Sequence, residues 1–264
     1  MSLDSGASPV GARLRLLLEL ARRDVRSRFA GSRFGLVWSL LNPLLQIVSY
    51  GLIFGFVYGG AGDTPRGVFV ATLFCGLWPW WAFQEGVVRG MGALVDQAAL
   101  LKKMPIPPVL CVLSQVAGSA VLQAAGFLVF LGIFTVSGLL PASGRLLWLP
   151  FVMLLGGLLA AGIGLVLAPL QLVVRDTMHL VNAILTLLFF ASPVLYRIES
   201  LPASLQPLAQ LNPVAGLIGL YRAVVLGQPV SWLPIAVCLA ATLACWILGL
   251  GILRRLGAVL DEYW

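Results

Sequence analysis

Six apolar runs account for most of this chain, at residues 34–58, 68–89, 109–140, 146–174, 178–196 and 232–253. A helix needs about 20 apolar residues to cross a hydrocarbon core about 30 Å thick, and each run approaches or exceeds that. In lipid every backbone N–H and C=O must find its partner within the protein, so runs of this length read as helices. The predicted fold is an all-α, six-span membrane protein. The composition agrees: 60% of the 264 residues are apolar and only 10% charged, where an ordinary soluble domain has about 25% charged. Little chain is left for a soluble domain.

Before the first run, Leu14, Leu17, Leu18, Ala21 and Val25 recur at three- and four-residue steps, with Arg15, Glu19, Arg22 and Arg26 opposite them. This spacing predicts an amphipathic helix over 13–29, lying in the membrane interface within a cytoplasmic N-terminal segment 1–33. Its candidate contact residues are Arg22, Arg23, Arg26 and Arg28, facing lipid headgroups, a partner or simply water. The small, polar start of the chain does not read as a signal peptide. The net charge of +7 could suggest nucleic acid, but the basic residues flank apolar runs and work better as orientation signals. Of the 17 Lys and Arg, only Arg66, Arg145, Arg197 and Arg222 fall on the side opposite the termini, which places both termini in the cytoplasm.

Two connecting segments stand out in the span domain, 34–264. Residues 91–108 predict a short cytoplasmic helix stopped by prolines, with Asp96, Gln97, Leu100, Lys102 and Lys103 as a candidate handle for a motor subunit or as an ordinary loop helix. Residues 197–229 hold apolar stretches too short to span, and predict two proline-initiated helices, 202–211 and 213–226, dipping into the outer leaflet as a gate or lying there as a plain loop.

Catalytic chemistry is hard to find. The only lysines, Lys102 and Lys103, follow no glycine, so no phosphate-binding loop is present, and neither a carboxylate pair nor a zinc motif appears. His179 reads as a polar residue at a membrane boundary, and the four cysteines read as packing residues inside apolar runs. No cofactor is expected on the chain itself. Glu85 and Arg89 are spaced for a salt bridge along one helix. What the runs do offer is aromatic surface. Tyr50, Phe54 and Tyr58 form a stripe beside Gly51, Gly55 and Gly59, and Trp78, Trp80, Trp81 and Phe83 sit roughly 15–22 Å into the second run by helix rise, too deep for an interfacial belt. These rings fill a helix core, face lipid or line a conduit. Sugars present apolar C–H faces to flat rings, so the candidate conduit comprises Trp38, Tyr50, Phe54, Tyr58, Trp78, Trp81 and Phe83.

Several motifs together resemble a known family. They are Arg23-Asp-Val-Arg-Ser-Arg-Phe-Ala-Gly-Ser-Arg-Phe-Gly-Leu-Val-Trp-Ser-Leu-Leu-Asn-Pro-Leu, Leu100-Leu-Lys-Lys-Met-Pro-Ile-Pro-Pro, Arg175-Asp, Ser192-Pro and Leu211-Asn-Pro-Val-Ala-Gly-Leu. Over nearly its whole length the chain is similar to the membrane subunits of type-2 ABC polysaccharide exporters, the permeases for O-antigen, capsule and teichoic acid precursors. The resemblance implies a homodimer in the cytoplasmic (inner) membrane, joined to two cytoplasmic ATPase subunits that use ATP and Mg. It implies a lipid-linked glycan as substrate, moved from inner to outer leaflet. It also implies an interface element in the first amphipathic helix, a coupling element around 96–103, and an external gate including Pro202, Pro213, Tyr221 and Arg222. Met104-Pro-Ile-Pro-Pro departs from the family's usual single proline after the lysine pair. The competing expectations are a type-2 ABC permease for a drug or small lipid, a membrane-embedded glycan-modifying enzyme, and a membrane scaffold.

Overall fold

The structure is a computed structural model that describes residues 9–30, 34–53, 66–104, 106–140 and 143–260. Every regular element among them is helical. In chain order these are α1 (Pro9–Phe29), α2 (Gly35–Leu52), α3 (Arg66–Asp96), α4 (Ala98–Leu101), α5 (Pro108–Val136), α6 (Leu149–Val173), α7 (Thr177–Ala191), α8 (Gln206–Gln210), α9 (Pro213–Leu226) and α10 (Trp232–Leu260). Short 3₁₀ turns at Gly144–Trp148 and Ile198–Ser200 link them. Three described helical segments are long and apolar enough to cross a membrane: Pro108–Val136, Gly144–Val173 and Trp232–Arg255. Thr177–Ala191 and Pro213–Leu226 are shorter apolar helices.

Helix ends follow local chemistry. α5 starts at a proline, whose missing N–H costs nothing in the first turn, and stops before Gly138, which takes the left-handed conformation at φ 74°. The Leu139 and Leu140 N–H groups then turn back onto the Phe134 carbonyl, so the helix ends four residues short of the 109–140 run. α7 stops at Ala191 because Ser192 precedes Pro193 and is pushed into extended backbone, so residues 192–196 of the fifth run are not helical. At 15 residues, α7 is roughly 22 Å long. α9 has the predicted bounds. Pro213 opens it, the Asn212 side chain accepts from the Val214 N–H at 2.9 Å, and Gly227 at φ 70° closes it.

α3 is the central helix, packed against α2, α5, α6, α7 and α9. Its 31 residues pass through Pro79 without interruption and run on to Asp96. The closest crossing is with α6. A Cβ on Gly164 would lie 2.9 Å from the Gly90 Cα, and one on Gly86 would lie 2.8 Å from the Ala160 Cβ. Each helix thus contributes two small residues spaced by four, Gly86 and Gly90 against Ala160 and Gly164. Lipid tails are as apolar as leucine, so close backbone approach, rather than escape from water, holds such helices together. The glycine stripe expected to do this lies on α2, but only Gly51 of its three members is within the described residues.

The main core surrounds Phe74, Leu77, Trp78, Phe127, Leu159 and Ile218. A smaller core, containing Leu20, Leu94, Cys111, Val112, Leu165 and Leu253, joins α1 to the N-terminal end of α5.

Candidate functional site

α1 does more than present an apolar face. It lies against α5, and its Asp24, only 7% exposed, enters the bundle. The Asp24 carboxylate accepts from Arg28 Nε at 3.0 Å and from Arg89 of α3. Arg28 also donates to Glu85 Oε1 at 2.6 Å, and Gln123 Nε2 of α5 donates to the other Glu85 oxygen. Two acids and two bases thus alternate across α1 and α3 with no net charge, and the neutral Gln123 of α5 completes the set, which is how buried ions are made tolerable. Glu85 and Arg89 do not pair with each other along α3, as their spacing suggested; each is taken by a residue of α1. The intrahelical pair is replaced because α1 brings charges of the right sign across the gap, and nothing in a single helix's periodicity reports that.

Arg89 also approaches Asp96 at 3.9 Å, so the network reaches the end of α3. Burial raises the Asp96 carboxyl above its ordinary range, the Arg89 guanidinium pulls it back, and Asp24 adds a further upward push. Beyond it the chain breaks at Gln97. That side chain is buried and donates to Ser114 Oγ at 3.3 Å, anchoring the break to α5. Residues 92–96 therefore belong to α3, and the expected separate helix reduces to the single turn α4 followed by bends at Lys102 and Lys103. Both lysines are exposed, while Leu100 is half-buried against the smaller core. Arg22, Arg23 and Arg26 are exposed on α1, and Arg28 is the one of the four drawn inward.

The aromatic residues divide into two groups. Trp78 is 2% exposed and lies among Phe74, Trp81, Phe127 and Phe130, with ring centroids 5.1–6.2 Å away. Its indole N–H donates to the Gln123 carbonyl at 3.0 Å. Phe83 is equally buried and contacts Trp80. Trp81 is half-buried beside Trp78. On α2, by contrast, Trp38 is exposed, and Tyr50 meets Phe189 of α7 at 6.2 Å. Around them α2 exposes Leu45, Val48 and Leu52, while α7 exposes Ile184, Leu187 and Phe190. Phe54 and Tyr58 lie outside the described residues.

The 197–229 segment is built into the bundle. Pro202 begins a turn rather than a helix, and α8 is a single turn from Gln206. α9 is deeply packed against α3 and α10. Tyr221 is buried edge-on against Phe127 at 5.3 Å. Arg222, 6% exposed, donates to the Val194 and Tyr196 carbonyls at 3.1 Å each, pinning the turn after α7 to α9.

Residues 15–226 match the family described as ABC-2 type transporter. The chain is 30% identical to an O-antigen export system permease protein RfbA of Myxococcus xanthus, across 79% of both chains. It is 25% identical to an RfbA of Klebsiella pneumoniae, across 91% of this chain and 92% of that one. It is 23% identical to the polysialic acid transport protein KpsM of Escherichia coli, across 79% and 80%. With a helical bundle, long apolar helices and a family match spanning α1 to α9, the chain belongs to the ABC-2 type transporter family as a permease subunit.

Proposed function

We propose that this chain is the membrane subunit of an ATP-driven exporter that moves a lipid-linked polysaccharide, of O-antigen type, across the cytoplasmic membrane. The observation that carries this reading is the similarity to O-antigen export permeases along as much as 91% of the chain. ATP and Mg belong to a separate cytoplasmic ATPase in two copies, as the family resemblance implies; the absence of a phosphate-binding loop from this sequence is consistent with that division. On this reading α2, α3 and α7 join the three long apolar helices as spans, both termini are cytoplasmic, and α8 and α9 form the external gate with Pro202, Pro213, Tyr221 and Arg222. The 13-to-4 distribution of Lys and Arg supports that orientation.

Two copies pack along α2 and α7, whose apolar side chains are left uncovered in the single chain. The glycan passes between them, along Trp38, Tyr50 and, by their sequence position, Phe54 and Tyr58. Trp78, Trp81 and Phe83 stand behind this surface and hold the wall rigid. The ATPase engages the exposed turn of Lys102 and Lys103, together with Asp96, Gln97 and Leu100. Closure of the ATPase on ATP pushes α3 along its axis, and the Asp24–Arg28–Glu85–Arg89 cluster carries α1 with it.

The test is complementation of a deletion strain. The intact gene restores surface glycan, and the purified chain brings down an ATPase. Trp38→Ala with Tyr50→Ala lowers surface glycan several-fold while the ATPase still co-purifies. Unaltered surface glycans in the deletion strain, or efflux of a hydrophobic drug in place of glycan, overturns the assignment.

A further inference from the structure

α3 touches both α5 and α6 closely, but α5 and α6 diverge from each other and leave a groove of about 710 Å³. Its floor is the Trp78, Pro79, Ala82, Phe83 and Gly86 face of α3. The walls carry small residues, including Ala120 and Ala124 on α5 and Gly157 and Ala160 on α6, and the rims are the exposed Val121, Leu128 and Leu154. From Leu113 to Leu128 the groove follows α5 for roughly 22 Å by helix rise.

Its chemistry demands an occupant without polar groups along its body. Two polar side chains in the walls are already engaged: Ser119 donates to the Val116 carbonyl, and Gln123 donates to Glu85. A hydrocarbon chain, apolar along its whole body, suits that lining.

Leu146, Leu149, Leu217 and Tyr221 line the groove, and Arg145 immediately precedes Leu146, just outside the lining. The Arg145 guanidinium reaches across to Gly227 at the end of α9. Its Nε donates to Ser143 Oγ at 3.2 Å, while neither Nη group has a hydrogen-bond partner and no carboxylate pairs with it among the described residues. Trp148, exposed beside it, is the residue type that anchors at a membrane surface. A guanidinium with free donors binds phosphate well.

We infer that this groove is a site for a phospholipid of the outer leaflet, with one acyl chain between α5 and α6 and its phosphate on Arg145. The site lies apart from the α2–α7 flank and is independent of what the transporter exports. A lipid seated there fills the gap beside Trp78 and steadies α3 against α5 and α6.

Photo-crosslinking tests it. The full chain is placed in nanodiscs of phosphatidylethanolamine and phosphatidylglycerol in which a fraction of the lipid carries a diazirine on its acyl chain, and labelled peptides are mapped by mass spectrometry. Labels on groove-facing positions of α5 and α6 are expected to exceed those on the exposed Leu239, Leu243 and Ile247 face of α10 by about tenfold. Gly157→Leu, at a position where an added Cβ meets nothing within 4 Å, fills the groove without disturbing packing and reduces its labelling to the α10 level. Arg145→Gln weakens groove labelling about tenfold, equivalent to about 1.4 kcal/mol, and Arg145→Lys retains most of it. Uniform labelling of α5, α6 and α10 overturns the site. So does undiminished labelling in Gly157→Leu, crosslinking of the groove to a second copy, or displacement of the label by added lipid-linked glycan.

Discussion

Arg222 is a cation held by carbonyl oxygens rather than by an acid, and that choice ties α9 to the turn that follows α7. Replacing it with methionine keeps much of the volume but strips the Val194 and Tyr196 carbonyls of their donors. A loss of about 1–3 kcal/mol per stranded group is expected, read as a lower unfolding temperature in detergent. Asp24 is the residue whose importance is least visible in the sequence, since it lies in a helix that reads as a surface element. Asp24→Asn leaves Arg28 and Arg89 facing each other with one acceptor fewer and is expected to cost about 3 kcal/mol. It should also expose α1 to limited proteolysis; an unchanged digestion pattern would remove Asp24 from the anchoring role. Asp96 gives a pH signature. Its carboxyl is raised in the fold, so the stability due to its protonated form is present below the ordinary value of 3.8 and is lost as pH rises through the raised value. Asp96→Asn flattens that part of the unfolding-temperature profile. Identical profiles for the two proteins would contradict the shift.

Among elements, the α3–α6 crossing decides the bundle. Gly164→Leu forces a side chain into a space already occupied by the Gly90 backbone, and overpacking of this kind costs about 1–3 kcal/mol or more. Gly132→Leu, in open space on α5, is the matched control and should not destabilise. Equal unfolding temperatures for both would show that the crossing is not a tight one. The bounds of α9, 213–226, were legible beforehand, because proline suits a helix's first turn; the 178–196 run reads on past Pro193, whose steric effect on Ser192 closes α7 at Ala191. The 91–108 segment was less legible. Its amphipathic spacing fits either a free helix or the tail of α3, and only Gln97, bonded to Ser114, places the break.

For the whole molecule, coupling to an ATPase makes a distinct prediction. Charge reversal at Lys102 and Lys103, both exposed and beyond the end of α3, should abolish stimulation of ATP turnover by substrate while the unfolding temperature stays unchanged. Normal stimulation would move the contact elsewhere on the chain. By itself the sequence determined the helical class, the number and approximate position of apolar runs, and the family, because hydrocarbon length, internal hydrogen bonding and long motifs are one-dimensional properties. Tertiary structure alone decided which rings are buried and which face outward. Trp78 and Trp38 look alike in a hydropathy reading, yet one lies under α5 while the other stands on an uncovered face. It also decided that Glu85 and Arg89 each pair with α1 and that α5 and α6 part to leave a groove. The physical reason is the same in each case. A helix presents every one of its faces in its periodicity, and which face is covered depends on neighbours that are distant in the chain.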